Sequence, residues 1–197
     1  MKKLLIALVA CAAIASVQAG TATAGATVTL NGTFFTNPGG WSTGANAAPA
    51  DLVDGVYQPE THQWDFDSVW WNGVDQPSNN IVLDLAGTFV ITDFKVQADD
   101  NDTYKLEYFG TDLAWHDAWD VPAIASFGLV TRDLTLGSTI EASALRFTAT
   151  GGDGYYAVSE IEANGRKVSS VPETGTSLAL LMGGLGLVAG LRRRFAV

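Results

Sequence analysis

The chain has 197 residues, of which 47% are hydrophobic and 16% are charged, a balance typical of one globular domain with short additional segments. Five of its 11 basic residues lie at the two ends, so the remaining six face 21 acidic residues and give a formal charge of −15. Such a charge repels phosphate groups and excludes nucleic acid as a partner. The single cysteine, Cys11, lies in an apolar N-terminal segment, which excludes a disulfide framework and a thiolate zinc site elsewhere.

The first 19 residues have the three parts of a secretory signal peptide. Lys2-Lys3 precedes an apolar run over residues 4–15, and the small-residue site Val17-Gln18-Ala19 follows it. We therefore predict a cleavable signal peptide over residues 1–19 and a mature chain that begins at residue 20. A competing interpretation is a lipoprotein signal, because Leu8-Val9-Ala10-Cys11 is similar to a lipobox.

The C-terminal residues form a second targeting segment. Val171-Pro172-Glu173-Thr174-Gly175 precedes an apolar stretch over residues 177–191, which ends at Arg192-Arg193-Arg194. A helix over that stretch extends about 22 Å, less than the hydrocarbon core of about 30 Å, but terminal arginines reach towards the headgroups. We therefore predict a single C-terminal transmembrane helix with its arginines on the cytoplasmic side. The spacer 167–170 would then link the helix to an external domain over residues 20–166.

The interior of the sequence predicts an all-β domain. Four segments alternate apolar residues with period two, and no helical periodicity longer than two turns occurs between residues 27 and 163. The alternating residues are Ile81, Leu83 and Leu85; Phe94, Val96 and Ala98; Tyr104, Leu106 and Tyr108; and Leu145, Phe147 and Ala149. Turn-forming clusters such as Asp99-Asp100-Asn101-Asp102 and Gly151-Gly152-Asp153-Gly154 separate them at intervals typical of antiparallel sandwiches.

The sequence contains no familiar catalytic motif. Neither His62 nor His116 is accompanied by a Gly-x-Ser-x-Gly nucleophile or by His-Glu-x-x-His metal spacing. The acidic turn over residues 99–102 lacks the alternating ligands of an EF-hand. We therefore predict a protein that is not an enzyme. A small glycan-active enzyme stays an alternative, because two suitably placed carboxylates suffice for glycoside hydrolysis.

All six tryptophans lie between residues 41 and 119, several of them among polar residues. Adjacent residues of an extended segment point to opposite faces, so we expect one of two neighbouring aromatic rings to be exposed. An exposed ring beside carboxylates and amides suits carbohydrate, because the ring takes the C–H face of a sugar. We therefore predict a carbohydrate-binding site at the loop end, formed by Trp70, Trp71, Asp102, Trp119 and Tyr155. The alternative is that these rings only pack the loops.

Several short segments, taken in order from Leu52 to Gly165, resemble the discoidin family of galactose-binding-like domains. They are Leu52-Val53-Asp54-Gly55, Trp64, Ile81-Val82-Leu83-Asp84-Leu85, Tyr104-Lys105-Leu106-Glu107-Tyr108, Trp115, Ala144-Leu145-Arg146-Phe147 and Val158-Ser159-Glu160-Ile161. The resemblance implies a discoidin-like jelly-roll β-sandwich with Trp64 and Trp115 in packing roles. The sequence departs from the family at Leu85-Ala86-Gly87, which has one extra residue, and in a longer insertion over residues 65–80.

The same resemblance implies a structural calcium ion, which discoidin-like sugar-binding members often hold where the first loop meets the last strand. The matching positions are Asp54, Thr61 and Glu160. Calcium takes six to eight oxygen ligands, so backbone carbonyls of the loop over residues 54–61 would complete the site. The alternative is that Asp54 caps a turn and Glu160 is solvated.

The C-terminal segment resembles the PEP-CTERM sorting signal, which combines Val-Pro-Glu-Pro, a short apolar segment and an arginine cluster. Thr174 replaces the second proline, so the Leu-Pro-x-Thr-Gly signal of Gram-positive sortases is a competing interpretation. The resemblance implies an exosortase-type enzyme as partner and a surface rich in exopolysaccharide. We therefore predict a bacterial surface or extracellular-matrix protein that binds carbohydrate. The alternative is a structural or adhesive surface protein that binds other proteins.

Overall fold

The computed structural model describes residues 20–41, 43–73 and 78–168. The predicted signal peptide and the predicted sorting tail lie outside these residues. Within them the regular structure is β, apart from a 3₁₀ helix at Pro49–Val53. The strands are β1 (Gly20–Thr21), β2 (Thr27–Asn31), β3 (Val69–Asn72), β4 (Asn80–Asp99), β5 (Thr103–Phe109), β6 (Trp115–Val121), β7 (Leu129–Gly151) and β8 (Tyr155–Lys167).

Two long strands, β4 and β7, take part in both layers of the sandwich. Hydrogen bonds join the strands antiparallel in the order β1-β8-β4-β7-β5-β6, with β2 beside β4 and β3 beside β8. In the first layer, the start of β4 lies between β2 and the end of β7, and β5 and β6 continue from there. In the second layer, the end of β4 lies between the start of β7 and β8.

The strand β4 passes from one layer to the other at Ala86-Gly87. Both residues have positive φ angles, 54° and 142°, and the register against β7 shifts between Asp84 and Phe89. An extra residue in one strand bends it and increases its twist, which is how a strand turns between packed sheets. The extra residue by which the sequence departs from the discoidin pattern therefore lies in this bend.

The core lies between the two layers and confirms the predicted alternation. Leu83, Leu106 and Phe147 from the first layer are fully buried and join Phe94 and Ile161 from the second in one cluster. Each such side chain stabilises the fold by about 1.5–3 kcal/mol relative to an exposed position. The strands are therefore committed to packing, and the loops at the ends are left to carry a site.

Residues 20–41, 43–73 and 78–168 include no helix that is long and apolar enough to cross a membrane. The predicted C-terminal transmembrane helix falls outside them.

Candidate functional site

Three loops meet at one end of the sandwich, where β4, β6 and β7 each end. Carboxylate groups fasten these loops together. The Asp100 carboxylate accepts a hydrogen bond from the Ser126 amide at 2.8 Å, and the Asp153 carboxylate accepts one from the Asn101 side chain at 3.0 Å. The Asp153 amide donates in turn to Asp102 at 3.3 Å. The predicted acidic turn therefore joins the β4–β5, β6–β7 and β7–β8 connections.

A buried guanidinium supports this turn from beneath. Arg132, on β7, is only 4% exposed, and its terminal nitrogens donate to the carbonyls of Ala98 at 3.0 Å, Asp99 at 2.6 Å and Asp100 at 3.0 Å. Hydrogen bonds from a charged donor are stronger than neutral ones, so Arg132 fixes the backbone of the turn.

Two carboxyl groups of the turn are buried beside this guanidinium. Burial raises the pKa of Asp99 to about 8, and the neighbouring Asp102 adds to the shift. Burial likewise raises the pKa of Asp102 to about 7, with a further contribution from Asp153. Asp102 is 0% exposed and accepts a hydrogen bond from the Tyr104 hydroxyl at 3.2 Å. The prediction that Asp102 faces a ligand is therefore wrong, because the turn directs this side chain inward.

A cleft of about 530 Å³ opens beside the turn, within the roughly 300–1,000 Å³ typical of ligand pockets. The lining consists of Asp99, Asp100 and Asn101 of the turn, residues 125–128 of the β6–β7 connection, and Trp64. We call this space the acidic cleft. Phe127, which is 57% exposed, also lines it, so aromatic surface and polar oxygens meet in one concave site.

Three aromatic rings adjoin the acidic cleft, and we call them the aromatic platform. The ring of Trp41 lies 5.1 Å from that of Trp64 and 5.4 Å from that of Tyr155, and the last two are 5.9 Å apart. Trp41 is 58% exposed and Tyr155 is 39% exposed. Tyr156, the next residue, is buried, as expected where adjacent residues of an extended segment point to opposite faces.

Trp70 and Trp71 leave β3 on opposite sides, as predicted, but both rings are buried. Trp71 lies in the main core, whereas Trp70 belongs to a second cluster on the outer side of β3. The Phe35 ring stacks on Trp70 at 4.0 Å, and the Trp70 indole donates to the Asn37 carbonyl at 3.0 Å. The expectation that one of these tryptophans is exposed is therefore wrong, because the segment before the 3₁₀ helix covers the outer ring.

Of the other tryptophans, Trp119 and Trp115 lie outside their predicted places, whereas Trp64 packs as predicted. Trp119 packs half-buried against the main core from β6, so it is not part of the acidic cleft. Trp115 is half-buried beneath the Arg146 guanidinium, 4.5 Å from its ring, rather than in the main core. Trp64 packs against Trp70 in the second cluster, with ring centroids 5.6 Å apart.

Sequence reasoning missed Trp41 and Phe127. The available signal was their setting, a single aromatic residue between small residues in Gly39-Gly40-Trp41-Ser42 and in Ser126-Phe127-Gly128. Such loops have too few apolar residues to bury an aromatic ring.

Two of the three predicted calcium ligands meet on the outer face of the second layer. The Gly55 amide, next to Asp54, donates to Glu160 Oε1 at 3.3 Å. Burial raises the pKa of Glu160 to about 8 against the effect of this hydrogen bond, and the Asp54 carboxylate adds to the rise. Of the alternative, one part is confirmed, because Asp54 caps a turn by accepting a hydrogen bond from the Val56 amide at 2.8 Å. The other part is wrong, because Glu160 is 1% exposed and therefore not solvated. Thr61 is anchored elsewhere by its amide, which donates to the Leu129 carbonyl at 2.9 Å.

One oxygen of this buried carboxylate fits a cation. Glu160 Oε2 has no hydrogen-bond partner among the described residues, and Asp54 lines an adjacent cavity of about 130 Å³ together with Gln58 and Ser159. A buried acceptor without a donor is costly unless an ion or water satisfies it. Across the described ranges, no group of three or more histidine, cysteine or acidic side chains is arranged to hold a metal, so carbonyl or water oxygens would have to complete the site.

In sequence, the C-terminal segment matches a family model, and no curated protein matches the chain significantly. Residues 170–195 match the VPDSG-CTERM motif. Glu173 and Thr174 stand where this motif has aspartate and serine, so the replacement of the second proline agrees with it. This match confirms the prediction of a C-terminal sorting signal similar to PEP-CTERM. The chain thus carries the sorting motif of an exported, membrane-processed surface protein.

The described domain is similar to solved carbohydrate-binding modules. The family 32 module of Clostridium perfringens NanJ in complex with galactose is 13% identical, with a TM-score of 0.50 over 75% of this chain and 99% of that one. The family 32 module of Streptococcus pneumoniae EndoD is 15% identical, with a TM-score of 0.50 over 73% and 98%. A Streptococcus pneumoniae fucose binding module, SpX-3, is 12% identical, with a TM-score of 0.51 over 73% and 96%. At these identities the comparisons establish the fold, an all-β sandwich like that of family 32 modules, and confirm the predicted discoidin-like class.

The buried acids of the turn predict an unusual dependence of stability on pH. A carboxyl whose pKa is higher in the folded than in the unfolded state stabilises the fold at low pH, and this contribution is lost as the pH rises through the folded pKa. We expect Asp102→Asn to gain stability relative to wild type as the pH rises from about 4 to 8. The expected gain is on the order of 3 kcal/mol, measured as the free energy of unfolding in urea.

The matched control is Asp117→Asn, which removes a 70% exposed carboxylate that pairs with Lys105 at 3.1 Å. Exposed ion pairs contribute less than about 1 kcal/mol, so its difference from wild type should change little over the same range. An equal pH dependence of the two variants would contradict the assignment to Asp102.

Proposed function

We propose that the described domain is a non-catalytic carbohydrate-binding module of an exported bacterial surface or extracellular-matrix protein. The observation that supports this function best is the acidic cleft. It combines an exposed aromatic ring with carboxylate and amide groups at the loop end of a sandwich similar to carbohydrate-binding modules.

The chemistry of the acidic cleft favours a neutral sugar. Phe127 offers a ring to the C–H face of a pyranose, and the exposed Asn101 offers an amide to its hydroxyl groups. The Asp100 carboxylate lies in the same lining, and among the residues that line this cleft none carries a positive charge. A sulfated or carboxylated sugar would therefore be repelled.

The carboxylates at this end are engaged in structure rather than placed for acid–base catalysis. Asp100 and Asp102 accept hydrogen bonds from backbone amides of neighbouring loops, and Asp153 accepts one from the Tyr155 amide two residues further along the chain. Similarity also extends to whole glycoside hydrolases, SpGH29 and a Clostridium perfringens family 89 enzyme, but the chain covers only 28% and 16% of them. These observations support binding without hydrolysis.

Phe127→Ala tests the proposed carbohydrate binding. We expect the full-length chain in detergent solution to bind at least one of galactose, fucose and GalNAc-β-1,3-galactose by calorimetry. The variant should weaken that binding by about 1–3 kcal/mol, on the scale of aromatic stacking, with an unchanged thermal midpoint. Leu113→Ala is the matched control, because Leu113 is 78% exposed in the β5–β6 turn at the opposite end. Absence of binding to all three sugars, or equal losses in both variants, would contradict the proposal.

Calcium is the second element of the proposed function. Asp54 and Glu160 would bind the ion together with backbone carbonyls of the loop over residues 54–61. Thr61 would be the last residue of that loop. The ion would neutralise the carboxylates of Asp54 and Glu160 and connect the loop to β8. We expect millimolar calcium to stabilise the fold by about 2.7 kcal/mol at 100 times its dissociation constant, seen as a higher melting temperature than in chelator.

Glu160→Gln should abolish this calcium-dependent rise, whereas Glu141→Gln, at an exposed position on β7, should retain it. A wild-type melting temperature that is the same in calcium and in chelator would contradict the proposed calcium site.

The sorting route is the third element. We propose that an exosortase-type enzyme recognises Val171-Pro172-Glu173-Thr174, with the apolar segment and Arg192-Arg193-Arg194 as the membrane anchor before processing. The match of residues 170–195 to the VPDSG-CTERM motif supports this route over a Gram-positive sortase. Export through the inner membrane would follow the signal peptide over residues 1–19.

Processing is tested by co-expression with an exosortase-type enzyme or with a Gram-positive sortase. A shorter surface form should appear only with the former, and Pro172→Ala should leave the precursor intact in the membrane. Truncation after Ser170 should release the domain. An intact tail on the mature surface protein would contradict cleavage.

A further inference from the structure

We propose that Trp41 forms a second sugar subsite beside the acidic cleft, so that this protein binds a neutral chain of at least two sugar residues rather than one terminal sugar. This inference rests on the proposed carbohydrate binding and specifies its substrate class.

The exposure of Trp41 is unusual for so large an apolar side chain. Trp41 is 58% exposed although its ring contacts both Trp64 and Tyr155. Trp70 and Trp71, in contrast, are buried. The fold therefore buries other tryptophan side chains but leaves that of Trp41 exposed to solvent.

The ring of Trp41 is held in place by its surroundings. The Trp41 amide donates to the buried Asp65 carboxylate at 3.1 Å. Gly39 lies directly against the ring, since a Cβ atom at that position would approach two ring carbons to 2.6 Å. The same segment is tied to β3 by the Trp70 indole, which donates to the Asn37 carbonyl at 3.0 Å. A ring that is already positioned loses little conformational entropy when a ligand stacks on it.

The aromatic platform and the acidic cleft form one continuous surface. Trp64 lines the cleft and also contacts Trp41 and Tyr155 of the platform. On the polar side, Asn101 donates to Asp153 at 3.0 Å, and the Tyr155 amide donates to the same carboxylate at 2.9 Å. A ligand that leaves the cleft past Trp64 therefore meets the Trp41 ring next.

A neutral oligosaccharide matches this surface better than a peptide or a lipid. Each pyranose has an apolar C–H face for a ring and hydroxyl groups for carboxylate and amide oxygens. Phe127 and Trp41 are both exposed and are connected through Trp64, which lines the acidic cleft together with Phe127 and contacts the Trp41 ring. This arrangement suits stacking on successive sugar residues. The acidic surroundings disfavour an anionic chain.

The test measures how affinity depends on ligand length. The full-length chain in detergent solution is titrated with galactose-, N-acetylgalactosamine- and fucose-containing glycans of one to four residues. We expect the longer glycans to bind about tenfold more tightly than the corresponding monosaccharides, on the scale of one additional stacked ring. Trp41→Ala should remove this gain and leave monosaccharide affinity unchanged, whereas Phe127→Ala should weaken both.

A second variant displaces the ring without removing it. Gly39→Ala introduces a Cβ against the Trp41 ring, and Gly39 does not have a positive φ that would strain an alanine backbone. It should also abolish the gain with length, while the exposed control Leu113→Ala should preserve it.

The outcomes separate this inference from the proposed function. Binding that does not strengthen with length, or an equal effect of Trp41→Ala on monosaccharides and longer glycans, would overturn the second subsite and leave carbohydrate binding intact. Absence of binding to every glycan of the series would overturn the proposed function and the subsite with it.

Discussion

The buried guanidinium of Arg132 determines the architecture of the loop end. By donating to three successive carbonyls, those of Ala98, Asp99 and Asp100, it fixes the turn that follows β4. The carboxylates of that turn then hold the neighbouring loops through Ser126 and Asp153. One buried positive charge therefore lies among the carboxyl groups of Asp99, Asp100 and Asp102 and orders the backbone that carries them.

This arrangement is costly for the fold and useful for a site. Asp99 and Asp102 have raised pKa values because burial disfavours their charge, and they lie within a turn that β-strand packing alone would not require. Binding surfaces commonly concentrate such unfavourable groups on loops, while a rigid scaffold supports them. The core between the layers, with Leu83, Phe94 and Phe147, supplies the stability that makes this possible.

The sequence allowed the class of fold to be predicted, but only part of the site. Period-two alternation located the buried faces of β4, β5 and β7, because alternation is a local property of a strand. Trp71 is buried in the main core, but the outward ring of Trp70 is buried as well, because the non-periodic segment before the 3₁₀ helix covers it. Local patterns carry no information on such a cover. Asp102 was misplaced for a similar reason, since the direction of its side chain depends on the Asp153 amide of the β7–β8 connection as well as on the nearby Tyr104 hydroxyl.

The central claim is that carbohydrate binds at the end of the sandwich where the three loops meet. Amide hydrogen exchange of the full-length chain, with and without a saturating galactose-containing tetrasaccharide, tests it most directly. Residues 99–102 and 122–128 and the segment around Trp41 should become more protected, while the opposite turn over residues 110–114 should not change. Protection confined to that opposite turn, or to the outer face of β5 and β6, would contradict the account.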